Sequence, residues 1–195
     1  MDYIFIIGPS AVGKTTLAKG LFDHYQGIYL EQNMVPEFGI PEGVPDIGVY
    51  EEQLCWDNIL LQLKFFHERG LKNIVALDFD DLRARELPLI FKGSNFITLK
   101  LVSGDTAQTL RQMEHRRDNE GGLYAPEHIG RANQVIMSRA LLPNEVQIDV
   151  AGKTKEQVLN EAIAIIDGFT PLKDYDYQLD DERKYLSWVQ SKNLR

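Results

Sequence analysis

Gly8-Pro9-Ser10-Ala11-Val12-Gly13-Lys14-Thr15 follows directly on the apolar run Tyr3 to Ile7 and leads into Thr16, Leu17, Leu21 and Tyr25 at helical spacing. The run before it is β-branched and almost free of polar residues, as a strand covered on both faces should be. Each fixed position of the octapeptide has a chemical reason. The glycines let the backbone curl with its N–H groups turned inward, forming a cradle for an anion. The helix that begins near Gly13 adds the positive end of its dipole. Lys14 is a point charge for a polyphosphate, and the Thr15 hydroxyl is a hard oxygen ligand for Mg²⁺. Strand, glycine turn and helix in this order predict a phosphate-binding loop in which Gly8, Ser10, Ala11, Val12, Gly13, Lys14, Thr15 and Thr16 contact the nucleotide.

Outward from the loop, the chain repeats the same rhythm. Short strands are expected at 28–30, ending near Glu31, and at 73–77, 96–102 and 146–150. Helices are expected at 15–25, 50–69, 82–91 (interrupted near Pro88), 105–117, 126–142 and 154–167, with Thr154 as an N-cap and Gly27 and Gly70 as stops. Strands alternating with helices mean a parallel sheet covered on both faces. The fold class is therefore α/β, a three-layer arrangement around a five-stranded parallel sheet. Two segments dense in breakers interrupt it: a flap at about 33–50, carrying Pro36, Pro41 and Pro45 with Gly39, Gly43 and Gly48, and a lid at about 117–126 containing Gly121 and Gly122. Residues 1–169 form one domain, and 170–195, rich in acids and aromatics, read as an appended helical tail packed on it.

Composition sets the outer limits. At 195 residues, 44% hydrophobic and 26% charged, the chain suits one folded domain. A net charge of −8 counts against a broad nucleic-acid surface. Cys55 is the single cysteine, so no intrachain disulfide forms, and its apolar neighbours predict a buried structural thiol. The opening apolar run is too short to span a bilayer and no leader pattern precedes it; a cytoplasmic location is the expectation.

The octapeptide matches G-x-x-x-x-G-K-[ST], and with its strand and helix the chain resembles the P-loop nucleoside, nucleotide and small-molecule kinases, among them adenylate, shikimate and gluconate kinases. The resemblance covers roughly 3–167. It implies ATP and Mg²⁺ as cofactors and a small-molecule or nucleotide acceptor for the γ-phosphate. Neither the Asn/Thr-Lys-x-Asp segment of GTPases nor the Leu-Ser-Gly-Gly signature of transporter ATPases is present. Gly-Pro-Ser-x-x-Gly-Lys-Thr is most similar to the loop of guanylate kinases, but their Thr-Arg-x-Pro acceptor segment is missing, as are the three consecutive glycines of shikimate kinases and the Asp-Arg-Tyr/His motif of thymidylate kinases. The acceptor stays open.

Other site residues follow from position and from the resemblance. Asp78 ends a strand on the side where open parallel sheets hold ligands, and it resembles the Walker B acid beside Mg²⁺; Asp80 and Asp81 compete for that role or cap the next helix. Glu31 ends the second strand, where related kinases often place a carboxylate that takes the acceptor's hydroxyl proton; the alternative is a solvated acid. Glu37 and Asp46 on the flap are further acceptor-site candidates. Arg111, Arg116, Arg117 and Arg131 surround the lid, where guanidinium groups neutralise charge spreading over the transferring phosphoryl oxygens. The resemblance implies that one of a pair, Arg111 with Arg116 or Arg117, stacks on adenine while the other reaches phosphate; Arg117 and Arg131 are the catalytic candidates. It also makes the loop around Gly152 an adenine-contacting segment. Arg83 and Arg85 hold an anionic acceptor or lie on the surface, and His115 is a surface residue. Two other readings remain: a nucleotide-dependent regulatory module that signals through a partner, and a kinase of nucleic-acid ends.

Overall fold

The computed structural model describes residues 1–32, 34–36, 39, 41–43, 47–77, 82–105, 111, 113–115, 118 and 134–179. Within them lie β1 (Tyr3–Ile7), α1 (Lys14–Tyr25), β2 (Ile28–Glu31), α2 (Ile47–His67), β3 (Asn73–Ala76), α3 (Leu82–Ile90), β4 (Phe96–Val102), β5 (Glu145–Asp149) and α4 (Lys155–Gly168). The described residues at 111, 113–115, 118 and 134–138 are helical as well.

All five strands are parallel, in the order β2-β3-β1-β4-β5. β1 is central because it can bury everything it carries. Ile4 and Ile6 join Leu17, Ala18 and Leu21 of α1 and Val158, Ala162 and Ile166 of α4 on one face. Tyr3, Phe5 and Ile7 join Trp56, Ile59 and Leu63 of α2 and Ala84 and Leu87 of α3 on the other. Alternating side chains of one apolar strand thus feed two separate cores, which is the three-layer architecture. The chain moves outward through β2 and back to β3 on one side of β1, then crosses to β4 on the other. The carboxyl end of β1 is therefore where the winding direction reverses, the place where open sheets of this kind leave a crevice for ligands.

Buried polar groups along the β4–β5 edge are paired. Glu145 is held by Arg139 through two bonds of 2.6 Å and by the Leu142 amide at 2.8 Å. The Lys100 ammonium, fully buried, donates to the Arg139 carbonyl at 2.9 Å. Removing one partner of so enclosed an ion pair leaves an uncompensated charge.

Three expectations need correcting. α3 runs through Pro88 without interruption, because a proline near a helix end removes only one N–H from the ladder, and the helical bonding continues from the Phe91 amide to the Leu87 carbonyl at 2.9 Å. Of the tail expected to be helical, residues 170–179 are not, and 180–195 lie outside the described residues; 169–179 run as a strap, with Tyr175 donating to the Pro88 carbonyl at 2.7 Å, Tyr177 to the Arg85 carbonyl at 2.9 Å, and Leu172 exchanging backbone bonds with the Asn144 side chain. Cys55 is half-buried rather than enclosed; partial burial, then Glu52 and Glu51, raise its thiol above the ordinary range.

Candidate active site

The loop between β1 and α1 has a conformation that most sequences cannot hold. Gly8 has φ of 145°, and a Cβ there would lie 2.4 Å from the Leu101 carbonyl oxygen of the neighbouring strand. Gly13 has φ of 103° and opens α1 without any side-chain cap, so the first-turn amides receive no side-chain oxygen from the N-cap position. Ala11, with φ of 61°, is a third left-handed residue. Glycine spacing alone did not announce it, since alanine has a Cβ and pays for this region with roughly 1–2 kcal/mol. Val12 closes the turn through its amide to the Pro9 carbonyl at 3.4 Å. Its side chain is buried in the core beside Leu17 and Leu101, so it anchors the loop. Lys14 curls back over the loop, its ammonium donating to the Gly8 carbonyl at 2.9 Å and the Pro9 carbonyl at 3.0 Å. Ser10 is half-buried, and Thr15 and Thr16 are exposed on the first turn of α1.

Beside the loop lies a cavity of about 290 Å³. Val12, Gly13, Thr16 and Gly20 form its α1 side, and Val150, Lys153, Thr154 and Leu159 form the side facing them. α4 is held there by a capping box: the Thr154 hydroxyl accepts from the Gln157 amide at 3.2 Å, and the Gln157 side-chain oxygen accepts from the Thr154 amide at 2.8 Å. Lys153 is paired with Glu161 at 2.6 Å. Gly152, with φ of 70°, shapes the turn but does not line the cavity; its neighbours Val150, Lys153 and Thr154 do. A largely apolar slot beside this loop has the character of a site for a flat ring.

On the far side of α1, Tyr29 of β2 packs beside Lys19 and Phe22 and donates its phenol proton to the Glu31 carboxylate. Burial first, then the bond to Glu31 and its charge, raise the Tyr29 phenol far above its ordinary range, partly offset by Thr15. Tyr29 was missed in the sequence, although its place two residues before Glu31 puts both on one face of a strand.

The remaining candidates divide by position. Asp78, Asp80, Asp81, Arg116, Arg117, Arg131, Glu37 and Asp46 lie outside the described residues. Arg111 is exposed and does not line the cavity; His115 is exposed. The surface alternative for Arg83 is overturned: it is 2% exposed, donating to the Glu52 carbonyl at 3.1 Å, 3.6 Å from Glu86 and stacked over the Trp56 ring at 5.1 Å. Arg85 is half-buried.

A metal ion is implied by the loop type, and the residues present fit Mg²⁺: the Thr15 hydroxyl is an exposed hard oxygen on the first turn of α1, next to the loop. No group of three or more His, Cys, Asp or Glu ligands occurs among the described residues. Mg²⁺ commonly keeps several waters and shares itself with phosphates rather than occupying an all-protein cage.

No family model matches the chain. It is 26% identical over 166 residues to a Pyrococcus furiosus protein named "Putative adenylate kinase", covering 84% of this chain and 83% of that one. Among solved structures, a sugar kinase from Janibacter superposes with a TM-score of 0.59 at 21% identity, over 86% of this chain and 95% of the other. A gluconokinase from Sinorhizobium meliloti gives 0.56 at 15% identity, over 85% and 91%.

Proposed function

With the P-loop fold shared by these kinases as the premise, and no single family within that superfamily picked out, we propose that the chain is an ATP-dependent phosphotransferase. It moves the γ-phosphate of ATP to a hydroxyl or phosphate oxygen of a small molecule or nucleotide. The observation that carries this reading is that Val12 and Gly13 of the Gly8–Thr15 loop also wall the slot that faces Thr154, an arrangement that suits an anionic tail and a base side by side. The kinase descriptions of the relatives support it, and the net charge of −8 favours a small acceptor over nucleic acid.

In this reading the first-turn amides and Lys14 bind the β- and γ-phosphates. Thr15 and Asp78 would hold Mg²⁺, whose charge offsets that of the phosphate oxygens. Arg117 and Arg131, the lid candidates, would stabilise the three equatorial oxygens of the transferring group, and Arg111 would contact the nucleotide. Glu31 accepts the proton of the acceptor hydroxyl as its oxygen bonds to the γ-phosphorus and the bond to the β-phosphate oxygen breaks. ADP and the phosphorylated acceptor leave. The slot beside Thr154 takes the base, with Gly152 shaping the turn. No described helix is long and apolar enough to cross a membrane, in keeping with a cytoplasmic enzyme.

The test is an acceptor screen on the full chain with γ-labelled ATP and Mg²⁺, covering hexoses, sugar acids, nucleosides and nucleoside monophosphates. At least one class should raise ADP release about tenfold or more over hydrolysis, one decade of rate, with the label in the product. Hydrolysis that no acceptor accelerates would refute the assignment and favour a regulatory nucleotide-binding module.

A further inference from the structure

α2 is apolar on two sides. Trp56, Ile59 and Leu63 enter the core. On the side turned away from them, Tyr50, Leu54, Leu61 and Phe65 follow at intervals of four, seven and four residues. At 3.6 residues per turn these intervals make one stripe, about 22 Å long. Leu61 is 68% exposed, Phe65 48%, Tyr50 41% and Leu54 36%. A helix that carries a second apolar face needs a second surface to cover it.

Charge is distributed unevenly along the same helix. Glu51 and Asp57 lie in its first half, Lys64 in its second and Arg69 just past its end, all exposed. Gln53 steadies the Asp57 carboxylate with a bond of 2.7 Å, and the Arg69 guanidinium lies 3.5 Å over the Phe65 ring, at the end of the stripe. Asp57 and Lys64 are seven residues apart, two turns to within about 20°, so they share one flank of the stripe. They stand about 10 Å apart along the axis, too far to pair within one chain. Glu51 and Arg69, eighteen residues apart, are five turns apart and share the other flank. A twofold axis perpendicular to α2 sets two copies antiparallel and keeps each flank on its own side. Centred between Leu60 and Leu61, it brings Leu61 beside Leu61 of the second copy and Leu54 toward that copy's Phe65. On one flank Asp57 then meets Lys64 of the second copy, and on the other Glu51 meets its Arg69. Symmetry makes each pair twice. A parallel pairing would set like charges together instead.

We propose that the exposed stripe of α2 is a self-association surface, on which a second copy of the chain docks its own α2 antiparallel. Acid first and base second along one helix is the order that such self-pairing requires. The proposal stands on α2 alone and does not depend on the phosphotransferase reading. One helix from each copy covers less than a standard interface of about 1,600 Å². The dimer is therefore of the exchanging kind, with a dissociation constant between about 1 μM and 1 mM.

The experiment is sedimentation equilibrium of the full chain from about 1 μM to about 1 mM. The average mass should climb with concentration from 22.3 kDa toward twice that value. Leu61→Glu sets two carboxylates together at the axis and should hold the chain at the monomer mass. Asp57→Lys alone, or Lys64→Asp alone, opposes like charges twice and should raise the dissociation constant about tenfold. The double swap, Asp57→Lys with Lys64→Asp, restores opposite charges and should return the constant to within about threefold of the parent. All three positions are exposed, so each variant should keep the parent's circular dichroism. A parent that stays monomeric throughout, as it would if its own residues 180–195 covered the stripe, overturns the proposal. So does a dimer that Leu61→Glu leaves intact, or a double swap as weak as the single changes. Should Leu61→Glu fail to fold, the charge swap decides alone: rescue supports the antiparallel register, and its absence overturns it.

Discussion

The Lys14 ammonium donates to the carbonyl of Gly8, six residues earlier, at 2.9 Å. The first residue of the loop and its cation are thereby tied together across the loop's mouth. The bond depends on the backbone of Gly8 turning as only glycine turns easily, so the charge that would meet a phosphate is placed by a residue that carries no functional group.

Gly8→Ala should accordingly be among the most damaging single substitutions in the chain. Its Cβ would press on the Leu101 carbonyl at 2.4 Å, with φ at 145° besides. Urea unfolding should register a loss of about 2–4 kcal/mol, strain and overpacking together. Gly13→Ala has φ of 103° but nothing within 4 Å of the new Cβ, and backbone strain alone should cost about 1–2 kcal/mol. Equal losses at the two positions would show that the contact with β4 is not what constrains Gly8.

Thr154→Ala removes the hydroxyl that accepts from the Gln157 amide and should cost about 1 kcal/mol. Hydrogen exchange should quicken first at the start of α4, the wall of the slot, and Thr154→Ser should restore most of the protection. Unchanged exchange there would mean the capping box adds nothing to the rigidity of that wall.

Tyr25 predicts an alkaline pH dependence. Burial first, then its 2.7 Å bond to Asp167 and that carboxylate's charge, raise its phenol well above the ordinary 10.0. A raised value means that the folded chain keeps a proton the unfolded chain gives up. The stabilisation is therefore complete below pH 10.0 and is lost as pH climbs from there toward the folded-state value. Tyr25→Phe should flatten the fall in stability above that pH, and absorbance titration should show one late-ionising tyrosine fewer. A slope unchanged by the substitution would contradict the link between α1 and α4.

What could be read from the sequence was what depends on local chemistry. β1 was placed to the residue because its apolar run ends abruptly at Gly8, β4 because its residues alternate, and the Thr154 cap because a threonine before an apolar periodicity has few other uses. The phosphate loop was legible because glycine, lysine and threonine at that spacing serve one chemistry. Less legible was anything set by a partner distant in sequence. Tyr29 drew no notice within the strand expected at 28–30, since its neighbours Lys19 and Phe22 come from α1. For Arg83 the sequence left open an anion holder or a surface charge, and only the fold shows Trp56 and the Glu52 carbonyl against it. The order β2-β3-β1-β4-β5 is likewise a tertiary fact, since local patterns name strands without saying which are neighbours. Pro88 misled because proline statistics describe helix interiors, and it stands near an end.

The most direct test is calorimetric titration of the full chain with ATP in the presence of Mg²⁺, alongside Lys14→Ala. The parent should give saturable heat at one site per chain, and the variant should bind about 30-fold more weakly or worse, as expected when a buried charge loses its partner. No heat from any purine nucleoside triphosphate, or a variant that binds as the parent does, would contradict the assignment of this loop.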